Sequence, residues 1–273
     1  MSGYEAFLIK KENGVLQFNN MGGYESRNPS TFWCIQQADM SYNWPDFKQI
    51  KIDTGDVERG EDRYTYSKQN NDYRTIPDFT FHNWPQVGVT DYNEMIKELD
   101  TIGRTPFEVN KVGWIGSADL PFRAKMVSIG NTRTDICDFI KMNWIRRANK
   151  IELDSTQYLS MPQLVKKYSI LIDIEGGGWS ARLKWLFWSH RPVILIDRPH
   201  KEFYFKYLKE WEHYIPVKRD MSDLIEKVEW CLQNYEQALR IAENAYEFSK
   251  QHLTREACYR RWNELIMDSI SNQ

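Results

Sequence analysis

Cysteine is scarce in this chain of 273 residues, with four in all. Cys34, Cys137, Cys231 and Cys258 lie far apart and form no C-x-x-C pair. Neither zinc spacing nor a disulfide framework is written there, and the four read as buried thiols of a reducing compartment. The five histidines are scattered, with no H-E-x-x-H cluster, so no catalytic cage of nitrogen and sulfur ligands is encoded. A large charge of one sign is missing too. The formal net charge of -2 argues against a partner in nucleic acid or anionic membrane. The small basic cluster Arg146, Arg147 and Lys150 reads as a solvated helix face. No apolar run approaches membrane-spanning length, and the opening residues lack the long apolar segment of a signal peptide. Those two absences predict a cytoplasmic protein without a membrane span. No internal repeat appears.

Two things are plentiful. Aromatic residues reach 14%, suited equally to a packed core and to the floor of a sugar site. Short apolar β-branched runs alternate with helical periodicity, which predicts an α/β architecture. Candidate strands are Phe32–Ile35, Gln49–Ile52, Ile76–Phe81, Val112–Ile115, Tyr168–Ile174, Pro192–Asp197 and His213–Val217. Helical spacing covers 92–99, a segment through Lys125 to Val127, 135–150, 160–167, 202–211, and two long pieces from Tyr235 to Ile270 parted near His252. Asp220 or Ser222 is a candidate cap for the helix carrying Leu224, Val228 and Cys231.

The chain is organised around Tyr168–Val217. A buried strand runs into Glu175-Gly-Gly-Gly-Trp-Ser-Ala-Arg182, a helix follows, and a second buried strand closes a βαβ unit. Residues without Cβ can take positive φ and admit a ligand close to the backbone. Ser180 is placed to cap the helix, whose free N–H groups and partial positive charge suit an anion. Arg182 adds a forked cation. A phosphate or diphosphate is the natural guest; the plain alternative is a turn that merely reverses the chain. The loop is neither G-x-G-x-x-G nor a P-loop. A second strand–loop–helix junction at Gly116 and Ser117 offers further N–H groups to the same cleft, and ligands of such sheets lie at the carboxyl ends of parallel strands.

Asp173-Ile-Glu-Gly-Gly-Gly-Trp-Ser-Ala-Arg-Leu-Lys184 resembles the D-G-N-G-x-S-x-R-x-K signature of glycosyltransferase family 90. That family includes capsule-associated xylosyltransferases and protein O-glucosyltransferases. Ile76-Pro-Asp-Phe, Trp84-Pro-Gln-Val, Trp114-Ile-Gly-Ser, the run from Tyr207 to Val217 and the C-terminal helices resemble further family motifs in order, over about residues 74–266. The resemblance implies a GT-B-like fold of two Rossmann-like lobes with an interdomain cleft. Residues 1–110 would form the acceptor-side lobe, residues 111–254 the donor lobe, and a helix from about 255 to 273 would pack back on the first. It implies inverting transfer of a sugar, xylose or glucose, from a UDP-sugar to a hydroxyl of a glycan or glycoprotein acceptor. No metal or other cofactor would be required beyond the UDP-sugar as co-substrate. Gly116, Ser117, Glu175, Gly176, Gly177, Gly178, Trp179, Ser180 and Arg182 would hold the donor.

Two positions depart from the family. Asn83 stands where the family carries the aspartate that acts as general base, and Ile115 stands where it often has an arginine. An amide cannot take a proton, so three readings are open. Asp78 or His82 substitutes, with Asp91 and Asp119 behind them; or Asn83 only orients a hydroxyl activated otherwise; or the chain is a catalytically degenerate binder of nucleotide-sugars or glycans. A metal-dependent enzyme using Asp173 and Glu175 as a D-x-D-like pair is a further alternative.

Overall fold

The computed structural model describes residues 7–19, 26–60, 62–69, 74–142, 144–147, 150–153 and 158–272. The first part of the chain builds a four-stranded sheet from β1 (Phe7–Glu12), β2 (Val15–Asn19), β3 (Phe47–Asp53) and β4 (Tyr64–Thr65), in the order β2-β1-β3-β4. Helix α1 (Asn28–Tyr42) lies between β2 and β3, and the short β5 (Ser67–Lys68) follows β4. After α2 (Tyr92–Gly103) come β6 (Val109–Ser117), α3 (Pro121–Gly130) and β7 (Cys137–Met142), then β8 (Trp144–Arg147) and β9 (Lys150–Leu153). Next are α4 (Met161–Lys167), β10 (Tyr168–Asp173), the single turn α5 (Leu183–Leu186), β11 (Val193–Ile196), β12 (Lys201–Glu202) and β13 (Ile215–Val217). Helices α6 (Leu224–Gln233), α7 (Tyr235–His252) and α8 (Arg255–Ser271) finish the chain. None of the helices among the described residues is long and apolar enough to cross a membrane.

The second sheet is wholly parallel, in the order β13-β11-β10-β6-β7. From β6 the chain goes outward to β7, then crosses back to β10 on the other side. The strand order therefore reverses between β6 and β10, which is where an open α/β sheet leaves a crevice for ligand. Every residue of β10 is buried, as a central parallel strand covered on both faces requires. The two faces carry different cores. Ile170, Ile172, Ile194, Ile196 and Val112 pack with Leu224, Val228 and Ile241 of α6 and α7. Leu171, Val193, Leu195 and Ile115 belong to a second cluster that runs on into Phe7, Ile9, Ile35 and Ile52 of the first part of the chain. Tyr168 fills the space above Gly113, where a Cβ would lie 2.0 Å from the ring.

Of the two Rossmann-like lobes expected, the second has the parallel sheet; the first has a smaller mixed one, in which β1 pairs antiparallel with β2 and β3. Helix α8 packs on α1, burying Cys258, Trp262, Leu265 and Ile266 in the shared cluster, while Trp44 Nε1 donates to Asn263 Oδ1 at 2.9 Å.

Several local expectations are corrected. Phe32–Ile35 lies inside α1, not in a strand. Pro29 sits in its first turn, and the buried residues Asn28, Thr31, Ile35 and Ala38 recur at helical spacing, a period that a run of four apolar letters could not show. Ile76–Phe81 is not a strand: an isolated bridge at Thr75 precedes it, and it runs into a 3₁₀ turn at Phe79–Phe81. Where a helix was expected over 135–150, the described residues form strands from Cys137 onward: β7 pairs parallel with β6 through Cys137 to Met142, and β8 pairs antiparallel with β9. Tertiary pairing outweighed local propensity there. The reading of Arg146, Arg147 and Lys150 as a helix face fails with it, and their side chains lie outside the described residues. Residues 202–211 form part of β12 and a 3₁₀ turn at Phe205–Tyr207 instead of a helix. The residue before α6 is Asp223, and neither Asp220 nor Ser222 caps it.

Asp78 ties the two parts of the chain together. Its Oδ1 accepts from Thr80 N and so caps the 3₁₀ turn, while Oδ2 accepts from Lys184 Nζ of α5 at 2.6 Å. Both side chains are almost wholly buried. A buried pair broken by removing one partner leaves an uncompensated charge, at a cost of about 3–5 kcal/mol. Asp78→Ala should therefore lower stability by about that amount, read as a fall in the denaturation midpoint; a change under about 1 kcal/mol would show that the pair is not isolated from water.

Candidate functional site

The crevice at the β6/β10 reversal is a cavity of about 300 Å³. Its floor is formed by the ends of the two strands, through Ile115, Gly116 and Ser117 on one side and Asp173 and Ile174 on the other. Gly176, Gly177, Trp179, Ser180 and Arg182 form one wall. Phe79, Trp84, Val87, Leu159, Met161 and Trp185 make an apolar wall, and Tyr158 closes it by donating to Val87 O at 2.9 Å. The first part of the chain contributes Arg27 and Asp56.

The glycine loop differs from the sequence expectation in its reasons. None of the three glycines has positive φ. Gly176 N donates to Trp179 O at 2.8 Å, closing the turn. Gly178 is glycine because the backbone of Asp56 lies on it: a Cβ there would stand 1.9 Å from Asp56 O. Ser180 does not begin a helix. The turn α5 starts at Leu183, Arg182 precedes it without a side-chain cap, and four residues make a poor dipole. Ser180 Oγ instead donates to Asp173 Oδ1 at 2.7 Å.

That bond belongs to a buried network. Arg198 Nη1 donates to Asp173 Oδ2 at 3.0 Å and Nη2 to Glu202 Oε1 at 3.1 Å. Tyr204 Oη donates to the same Glu202 oxygen at 3.3 Å. One guanidinium thus serves two carboxylates, and burial, together with the nearby Asp173 charge, pushes the Glu202 carboxyl up to about 7. The network anchors the Ser180 end of the loop. Asp173, with both oxygens taken, and Glu175, whose Oε1 faces Arg219 at 3.3 Å, do not form an open carboxylate pair. Among the described residues no group of three or more His, Cys, Asp or Glu side chains is placed to hold a metal ion.

Cations dominate the remaining polar wall. Arg123, at the start of α3, donates through Nε to Glu175 O at 2.8 Å and through Nη1 to Ser117 O at 3.2 Å, bridging the two strand ends. Burial and the neighbouring Arg182 charge bring its guanidinium down to about 10. Burial also lowers Arg182, and no hydrogen bond or ion pair joins its guanidinium to any other described residue. Two arginines that repel each other across a desolvated cavity leave room for an anion. Arg123 was not singled out in the sequence; its position at the first turn of the helix after Gly116-Ser117, matching Arg182 after the glycine loop, was the available signal.

Of the donor-binding set expected, Gly116, Ser117, Gly176, Gly177, Trp179, Ser180 and Arg182 line the cavity; Glu175 and Gly178 stand behind it. Asp78, His82 and Asn83 do not line it. The His82 ring stacks on Trp33 with centroids 4.2 Å apart. Its Nδ1 lies 3.1 Å from Ser30 Oγ, which donates to Asn83 Oδ1 at 2.8 Å. Burial and Arg255 hold His82 below the usual histidine range. Asp91 is paired with Arg255 Nη2 at 2.7 Å, and Asp119 accepts from Ser117 Oγ at 2.7 Å.

A parallel sheet with an arginine-lined crevice at its reversal is the architecture of α/β proteins that hold ligands at a topological switch point. The chain belongs to glycosyl transferase family 90, whose profile matches residues 39–269. It is 29% identical over 172 residues to uncharacterized protein 035R of invertebrate iridescent virus 3, covering 58% of this chain and 16% of that one. It is 26% identical over 164 residues to protein O-glucosyltransferase 2 of Danio rerio, covering 58% of this chain and 32% of that one. The human protein O-glucosyltransferase 1 is 35% identical over 104 residues, covering 37% and 26%. The chain thus spans less than a third of the length of these relatives. Among solved structures, Anabaena HepE in complex with UDP-glucose aligns at 13% identity and a TM-score of 0.38, over 68% of this chain and 46% of that one. TarM aligns at 13% identity and 0.41, over 94% and 49%.

The network predicts a pH dependence. A carboxyl raised in the folded state favours folding while protonated, so its contribution is present below pH 4.5, the ordinary glutamate value, and is lost as pH rises through about 7. Melting temperatures of the wild type and Glu202→Gln, followed from pH 5 to 8, should diverge by a few degrees, with the wild type falling relative to the variant. Parallel curves would place the Glu202 pKa at an ordinary value.

Proposed function

We propose that this chain is a glycosyltransferase that binds a UDP-sugar in the β6/β10 cavity and transfers its sugar to a hydroxyl of a glycan or glycoprotein. The observation that carries this reading is the pair Arg123 and Arg182, two desolvated guanidiniums lining one cavity with no carboxylate among the described residues bound to either. A diphosphate supplies the negative charge such a wall lacks. As the bond between sugar and phosphate breaks, charge grows on the departing UDP, and fixed cations that need no reorganisation stabilise that change. Ser117 and the backbone of Gly116, Gly176 and Gly177 border the same space, and the aromatic wall of Phe79, Trp84 and Trp185 suits the uracil or a sugar face.

The family relationship favours glucose or xylose as the sugar, with inversion at the anomeric carbon. With arginines serving the leaving group, the reaction runs without a divalent cation. The lobes divide near residue 110, with the first part of the chain and α8 on the acceptor side. Asn83 favours a second reading, a nucleotide-sugar binder without turnover. Release of UDP from UDP-glucose or UDP-xylose separates the two, since a pure binder gives none above background.

Arg182→Ala should weaken UDP binding about 10- to 100-fold, the worth of one charge-assisted hydrogen bond, measured by calorimetry, with turnover of the wild type surviving EDTA. Undiminished affinity in the variant would remove the diphosphate from this wall.

A further inference from the structure

The wall that faces the glycine loop comes from the first part of the chain, and its two polar members are Arg27 and Asp56. Arg27 lies outside the residues matched by the family profile, 39–269. The segment that carries Asp56 is held firmly. Asp53 Oδ1 accepts from Gly55 N at 2.8 Å, and Arg27 Nη1 donates to Thr54 O at 2.8 Å. Arg27 Nη2 then donates to Asp56 Oδ1 at 2.9 Å. On the other side the Asp56 backbone rests on Gly178, while its Oδ2 lies 3.1 Å from where a Gly177 Cβ would be.

Only two carboxylates line the cavity among the described residues, Asp56 and Asp173. Asp173 is 1% exposed and spends both oxygens on Ser180 and Arg198. The Asp56 side chain is 38% exposed, and among the described residues no hydrogen bond reaches its Oδ2. The other groups weighed as proton acceptors do not line the cavity and have partners of their own: Asp78 with Lys184, Asp91 with Arg255, Asp119 with Ser117, and His82 against Trp33 and Ser30. The charged groups around Asp56 are its partner Arg27 and, on the same cavity, Arg123, Arg182 and Asp173.

We infer that Asp56 is the proton acceptor that activates the incoming hydroxyl, doing from a different segment what the amide of Asn83 cannot do. The inference rests on the transferase reading above. In the step, the acceptor oxygen bonds to the anomeric carbon as its proton passes to Asp56 Oδ2. The bond from that carbon to the β-phosphate oxygen breaks, and its electron pair leaves with UDP beside Arg182. Protonated Asp56 returns the proton to solvent after UDP departs. Arg27 acts as a positioning residue, fixing Oδ1 so that Oδ2 faces the substrate.

The test measures UDP release from UDP-glucose, and UDP affinity by calorimetry, for the wild type, Asp56→Asn, Asp56→Glu and His82→Ala. Asp56→Asn should lose turnover by about 10²–10⁴-fold, the usual worth of a general base. Its UDP affinity should stay within about threefold, which also reports a folded cleft. Asp56→Glu should recover part of the rate, and His82→Ala should stay near wild type. Retention of more than about a tenth of turnover in Asp56→Asn overturns the assignment. So does a loss accounted for by UDP affinity, or a collapse of turnover in His82→Ala alone. A wild type that binds UDP and turns over while Asp56→Asn does the same removes this inference and leaves the transferase reading standing; a wild type that binds no UDP removes both.

Discussion

Where β6 and β10 part company, the chain leaving each strand borders a crevice. Arg123 spans it from the first turn of α3, donating to Ser117 O at the end of β6 and to Glu175 O two residues past β10. Buried backbone acceptors need partners, and a neutral side chain with one donor could not span both strands. The guanidinium fork can. The consequence is a fixed positive charge at the base of the cavity before any ligand arrives. The second guanidinium, Arg182, is brought in by the loop that leaves β10, so the two cations meet because two βα junctions of a parallel sheet end at the same place.

The loop is held by its two ends. At the Ser180 end, Asp173 reaches past the strand terminus to Ser180 and Arg198, and Glu202 completes a cluster of two carboxylates on one guanidinium. At the glycine end, the Asp56 segment packs without space for even one methyl group on Gly178. Preorganisation of this sort matters for transfer chemistry because a wall that does not rearrange stabilises developing charge at no further cost. It also explains a density of polar side chains in the core that would otherwise be destabilising.

Much of the parallel sheet was legible in the sequence. Tyr168–Ile174 and Pro192–Asp197 read as strands because they are buried on both faces and therefore nearly all apolar, and Val112–Ile115 shares that signal. What failed shares a cause as well. Phe32–Ile35 and Cys137–Met142 are short runs whose fate depends on what they meet, α8 in one case and β6 in the other, and neither partner is near in sequence. At the site, the glycine loop and Arg182 were visible as a motif. The reason for Gly178 was not, since the atom it makes room for belongs to Asp56, more than a hundred residues earlier. Arg198 and Glu202 were invisible for the same reason: one follows an expected strand, the other opens a stretch whose aromatic content suggested a helix, and only the fold brings them to Asp173.

The division of labour in the cavity follows from these distances along the chain. The cations of one wall, Arg123 and Arg182, and the loop between β10 and α5 come from the parallel sheet. The groups opposite, Arg27 and Asp56, come from the turn before α1 and the turn after β3. A parallel sheet fixes its strand ends by register, so the side that carries the two arginines is set by the fold itself. The opposite side is set only by how one loop docks on another, through Gly178 and the Arg27–Asp56 pair. Loops on a rigid scaffold can change residue type at small structural cost. Position 56 can therefore carry a carboxylate into the cavity without disturbing the wall that holds Arg123 and Arg182.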